Sequence, residues 1–80
     1  MKKTDTLNLL EELCEKLAIT VKYDRFFGKG GYCRLRQKPF FIINDNLSND
    51  AKERIFVNEL KSLDFSNIFL PPKLRELFDR

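Results

Sequence analysis

The apolar residues of this chain change their spacing at residue 18. Before it, Leu7, Leu10, Leu13, Cys14 and Leu17 recur every three or four positions, the period of one helix face. After it, Ile19, Val21 and Tyr23 alternate with Thr20 and Lys22, the period of a strand with one covered face. A helix over residues 5–18 is therefore predicted, with Thr4, Asp5 and Thr6 offering N-cap oxygens, followed at once by a strand over 19–23. Period two returns at Tyr32-Cys33-Arg34-Leu35-Arg36, where Cys33 and Leu35 share a face opposite Tyr32, Arg34 and Arg36. Phe40-Phe41-Ile42-Ile43 is a continuous apolar run, which predicts a strand buried on both faces.

The links between these segments set the topology. Asp24 to Gly31 holds three glycines and reads as a loop. Gln37-Lys38-Pro39 is short enough to make the second and third strands an antiparallel hairpin. After the polar loop 44–49, Ser48 or Asn49 can cap a second helix over 50–63, with Phe56, Leu60 and Leu63 on its apolar stripe and Asp50 in its first turn. The apolar but irregular stretch 64–70 is expected to lie back on the core. Pro71 and Pro72 suit the start of a short closing helix that carries Leu74, Leu77 and Phe78. The predicted fold class is α+β: helix, three-stranded mostly antiparallel sheet, helix and short C-terminal helix, in the order α-β-β-β-α-α. Eighty residues make this one domain, spanning 1–80.

Composition removes several functions. No apolar run approaches the roughly 18 residues needed to span a bilayer, and the Leu–Glu alternation after Met1-Lys2-Lys3 does not make a secretory leader. A cytoplasmic location, with no membrane partner, is the expectation. The sequence has two cysteines and no histidine, so a four-ligand zinc site is not expected, nor any other cofactor. Cys14 and Cys33 are expected to be free and partly buried, with a disulfide between the first helix and a strand as the minor alternative. The net charge is only +3, but it is uneven: Lys22, Arg25, Lys29, Arg34, Arg36 and Lys38 fall in one segment, while Glu11, Glu12 and Glu15 share one helix.

The segment "GGYCRLRQKPFFIINDNLSNDAKERIFVNELKSLD" at residues 30–64 resembles the N-terminal α-β-β-β-α part of zincin-like metallopeptidases of the ImmA/IrrE type. Ile42-Ile43-Asn44 and Leu47-Ser48 look like the strand end and loop that precede the metal helix in that family. Arg54, Phe56 and Asn58-Glu59-Leu60 look like the start of the helix itself. The resemblance covers roughly residues 5–64 and rests on order and spacing more than on identical residues. It implies a metal-free short form, or a small bacterial relative of the family. Two imidazoles four apart on a helix reach one zinc, and the glutamate beside the first acts as general base. By resemblance the two ligand places fall on Asn58 and Ser62 and the base place on Glu59, so the positions are vestigial. Helix composition alone also accounts for Asn-Glu-Leu-Lys-Ser-Leu.

Other constellations point away from catalysis. Glu11, Glu12 and Glu15 read as a solvated helix face, and neither cysteine has a histidine to activate it. "GKGG" at 28–31 precedes a strand, unlike a phosphate loop, and reads as a turn or a close approach of two backbones. The basic and aromatic segment is the stronger signal. We expect a non-catalytic protein-interaction or regulatory module, contacting a protein partner or a second copy through Arg25, Phe26, Phe27, Tyr32, Arg34 and Arg36. The alternative is a small single-stranded nucleic-acid binder using Lys22, Arg25, Lys29, Arg34 and Arg36, since aromatic and cationic side chains together stack bases and contact phosphates.

Overall fold

Thr4 opens the first helix. Its side chain accepts the Leu7 N–H at 3.1 Å, and its hydroxyl donates to Glu53 Oε2 at 2.9 Å, so the cap is tied to a second element. The helix, α1, runs Asp5–Lys16. It stops because Ala18 turns into the left-handed region (φ 60), where the Ile19 N–H reaches the Cys14 carbonyl and the Ala18 N–H the Glu15 carbonyl. This paired closure is a Schellman cap, with alanine in the place glycine usually takes. It converts the helical period to the strand period within two residues.

The computed structural model describes residues 3–65 and 67–79. Within them follow β1 (Thr20–Asp24), β2 (Gly30–Leu35), β3 (Lys38–Asn44), α2 (Asn49–Leu60) and α3 (Pro72–Phe78). The architecture is α+β in the order α-β-β-β-α-α, with a mixed sheet of strand order β1-β3-β2. The antiparallel pairing is that of the β2–β3 hairpin, whereas β1 joins β3 in parallel, Thr20 opposite Phe40 through Asp24 opposite Asn44. Arg36 and Gln37 form the hairpin turn, both with positive φ (53 and 69), as a two-residue type I′ turn requires. Pro39 is tolerated in the central strand because β1 begins opposite Phe40, so no ladder partner faces the missing N–H.

The core lies between one face of the sheet and the helices. Leu7, Leu10, Leu13 and Cys14 of α1, Phe41 and Ile43 of β3, Phe56 and Leu60 of α2, and Leu74 of α3 are all but inaccessible. The Phe41 ring stands between Phe56 (centroids 4.9 Å apart) and Tyr32 (5.5 Å, edge to face). Phe65, Ile68 and Leu70 return to this core, while Phe69 points outward; Ser66 of the same stretch lies outside the described residues.

Five sequence expectations are corrected. Phe40-Phe41-Ile42-Ile43 is not buried on both faces, because α1 and α2 pack on one side of the sheet only; Phe40 and Ile42 point to the open side. Tyr32 belongs to the covered side, and Cys33 is exposed rather than partly buried. The second helix ends at Leu60, short of Leu63. Glu11 is not part of a freely solvated face, since it accepts hydrogen bonds from Tyr23 Oη and Lys3 Nζ. Among the described residues, no helix is long and apolar enough to cross a membrane.

Candidate interaction surface

Because β3 lies between β1 and β2, the chain leaving Asp24 must cross the end of β3 to reach Gly30. That step covers two strand spacings, about 10 Å, in residues 25–29. Asn44, the last residue of β3 and nearly buried, organises the crossing. Its side-chain amide donates to the Phe26 carbonyl at 2.9 Å and the Gly28 carbonyl at 2.8 Å, and its backbone N–H donates to the Lys29 carbonyl at 3.1 Å. Its Oδ1 accepts the Asn46 N–H. Gly28 (φ +108) and Gly30 (φ +99) adopt backbone angles that side chains disfavour. A Cβ on Gly30 would stand 2.0 Å from the Ile42 carbonyl oxygen, so the loop leaves as a close approach of two backbones.

The bonds to the carbonyls on either side of Phe27 hold that residue outward. Phe27 is wholly exposed (105%), and Phe26 is more than a third exposed. Arg25 and Lys29, both exposed, flank the pair. Arg25, Phe26 and Phe27 therefore form one patch. The other expected members of the surface are elsewhere. Tyr32 packs its ring against Phe41 under the helices, and Arg34 sits opposite Pro39, toward the far end of β2. Arg36 lies in the hairpin turn beyond it. The length of β2 separates Arg36 from Phe27, about 20 Å at strand rise. The basic segment thus divides between the two ends of the sheet.

The three positions that the resemblance singles out, Asn58, Glu59 and Ser62, do not converge either. Asn58 lines a shallow groove of about 360 Å³ between α2 and α3, together with Glu53, Arg54, Lys61 and Leu77. Glu59 turns toward β2, where its Oε1 would lie 3.7 Å from a Cβ on Gly31. Ser62 falls beyond the helix end and donates its hydroxyl to the Glu59 carbonyl at 3.0 Å. Asn58 and Ser62 are not two positions of one continuing helix face.

A second group of titratable side chains, which the sequence reading did not find, braces α1 against β1 and α2. Tyr23 Oη donates to Glu11, which also pairs with Lys3 at 3.0 Å. The Lys3 and Lys52 ammonium groups stand 5.0 and 5.3 Å from the Tyr23 ring centroid. Lys52 is nearly buried, and its charge is met by Asp45 at 3.0 Å. The Lys52 hydrogen bond holds the Asp45 carboxyl below its usual range. Burial, then the Glu11 hydrogen bond and charge, push the Tyr23 hydroxyl far up. Burial, then Glu11, push the Cys14 thiol up to about 12. A thiol so protonated is not a nucleophile, since the thiolate is the reactive form. The group is a packing brace.

Compared with protein-family models, with curated proteins and with solved structures, the chain matches none of them.

Proposed function

We propose that this chain is a non-catalytic protein-interaction module that inserts Phe27 into an apolar pocket rimmed by carboxylates on a partner protein. The observation that carries this reading is a fully exposed phenylalanine on a loop whose shape is fixed by a nearly buried asparagine. Asn44 binds the carbonyls on either side of this ring, so the loop presents it outward and not over the core. Arg25 and Lys29 beside it select acidic groups at the rim. The resemblance to the ImmA/IrrE-type family would assign ligand places to Asn58 and Ser62 and the base place to Glu59, but Ser62 falls beyond the end of α2, so the proposal does not lean on it. Single-stranded nucleic acid is the rival. It is less well supported, because Lys22, Arg25, Lys29, Arg34 and Arg36 do not line one groove.

A photoreactive phenylalanine analogue at position 27, used in the native cell, tests the proposal. It should crosslink one protein, and that purified protein should bind the Phe27→Ala chain about 30-fold more weakly, as for a hot-spot residue. Sedimentation at rising concentration tells whether the partner is a second copy. Crosslinking no stronger than from the same analogue at Glu12, a solvated helix position, would sink the idea. Oligonucleotide binding that weakens steeply with salt would transfer the function to the rival reading.

A further inference from the structure

The face of the sheet that carries no helix has a defined chemistry. The register brings Leu35 beside Lys38, Cys33 beside Phe40, and Ile42 beside Lys22. Leu35 is 64% exposed and Ile42 37%. Phe40 is partly covered, and the Lys22 ammonium stands 5.4 Å from its ring centroid. The result is an apolar centre with one lysine at each end, four residues apart along β3, and the exposed Asp24 beyond Lys22 at the end of β1.

Three occupants can be compared on that basis. A second copy docking face to face about a twofold axis would set the two lysines of one copy against the two of the other, which like charges oppose. Single-stranded nucleic acid needs ring faces on which bases stack, but this face has one ring, Phe40, already capped by Lys22; Leu35, Ile42 and Cys33 offer none. An amphipathic helix fits both features. Its aliphatic stripe covers the centre, and its carboxylates draw Lys22 off Phe40 and meet Lys38. The lysines are separated by about 13 Å of strand, or roughly two and a half turns of helix.

We infer that the open face, with Leu35, Phe40 and Ile42 at its centre and Lys22 and Lys38 at its ends, is a docking site for an amphipathic helix of a partner protein that carries an aliphatic stripe flanked by carboxylates. The inference rests on the reading of the chain as an interaction module, but it uses different residues from the Phe27 loop, so the two can fail separately.

The test is an amide chemical-shift titration of the whole chain with a designed helical peptide of about 20 residues, leucine and isoleucine at helical spacing and glutamate on both flanks, taken to about 1 mM. Saturable shifts are expected at Cys33, Leu35, Phe40 and Ile42 and not at Phe27. The double variant Lys22→Glu/Lys38→Glu, altered only at exposed side chains, should bind about five- to 25-fold more weakly at low salt, from two exposed charge pairs. The same peptide with lysine in place of glutamate should not bind. Absence of shifts on the open face, equal binding by the lysine peptide, or stronger shifts there with oligo-dT would each overturn the inference. So would open-face shifts that grow with protein concentration alone, which would assign the face to a second copy. Open-face binding by the glutamate peptide, with a Phe27→Ala chain that keeps its full affinity for its crosslinked partner, would retire the loop proposal and leave this one standing.

Discussion

Phe40 and Phe41 are neighbours in one strand, and so are Ile42 and Ile43, yet they meet opposite environments. Phe41 and Ile43 are fully buried beneath α1 and α2, while Ile42 is 37% exposed and Phe40 is only partly buried, with the Lys22 ammonium over its ring. The chain has helix enough for one layer. α1 and α2 take the sheet, and α3 packs on α1 rather than on the second face. Apolar character in a strand therefore does not by itself say which side is covered. It says that a covering is wanted on both sides, and on one of them the described residues do not supply it.

The largest expected effect separates the two faces at adjacent residues. Phe41→Ala removes a ring held between Phe56 and Tyr32 and should cost about 3–5 kcal/mol. Phe40→Ala removes a half-solvated ring and one cation–π contact and should cost about 1 kcal/mol or less. Urea melts of both variants measure this. Equal losses would mean that the two faces are not energetically distinct and that something covers the open one in solution.

Next in size is Gly30→Ala, at the point where the loop leaves the sheet. The new Cβ would meet the Ile42 carbonyl, and φ +99 is strained for any side chain. A loss above about 2 kcal/mol is expected. Gly28→Ala has positive φ as well but meets nothing within 4 Å, so it should lose only the smaller conformational share. If the two substitutions cost the same in thermal melts, the close approach at Gly30 is not what shapes the loop.

Much of this was legible in the sequence, and apart from local boundaries, such as the end of α2 and the hairpin turn, the misses share a cause. The switch of period at residue 18, the capping stretches 4–6 and 48–49, the hairpin and the helix start at Pro71 and Pro72 are local features, written in residues that touch one another. Whether β1 pairs in parallel with β3, which face the helices choose, and which side Tyr32 takes all depend on residues far apart in the chain. Alternation puts Tyr32 and Cys33 on opposite faces but does not say which face is inside. The same holds for the candidate surface. Phe26 and Phe27 announce themselves at a glycine-rich loop, but Asn44, which fixes that loop, reads from sequence as a residue of the next one.

The two thiols carry the comparison into chemistry. Cys33 lies on the open face and Cys14 is buried on the covered one. A thiol reagent in native buffer should modify one equivalent quickly, with the second reacting only as the chain unfolds; two fast equivalents would mean that the covered face opens. Stability should also respond to alkali through Cys14. Its folded value is raised to about 12 from an ordinary 9.0, so the unfolded chain loses its proton first. The stabilisation is whole below about pH 9 and drains away as pH rises toward about 12, with Tyr23 adding to the decline above its own ordinary value of 10.0. Cys14→Ala should flatten the first part of that slope. Replacement of Cys33 should leave it unchanged.

The smallest expected effect is the most direct probe of the open face. Leu35 is 64% exposed at the last pair of the hairpin, opposite Lys38. Were that face a core boundary awaiting small repacking, Leu35→Thr would cost the transfer energy of a buried leucine. As a solvated position on a strand it should change stability by no more than about 0.5 kcal/mol, because threonine, being β-branched, suits a pleated surface. The substitution should instead act on association, weakening binding of the acidic helical peptide while the melting curve stays in place. A Leu35→Thr chain that melts lower by several degrees and still binds the peptide fully would reverse the assignment, making Leu35 a residue of the fold and not of the interface.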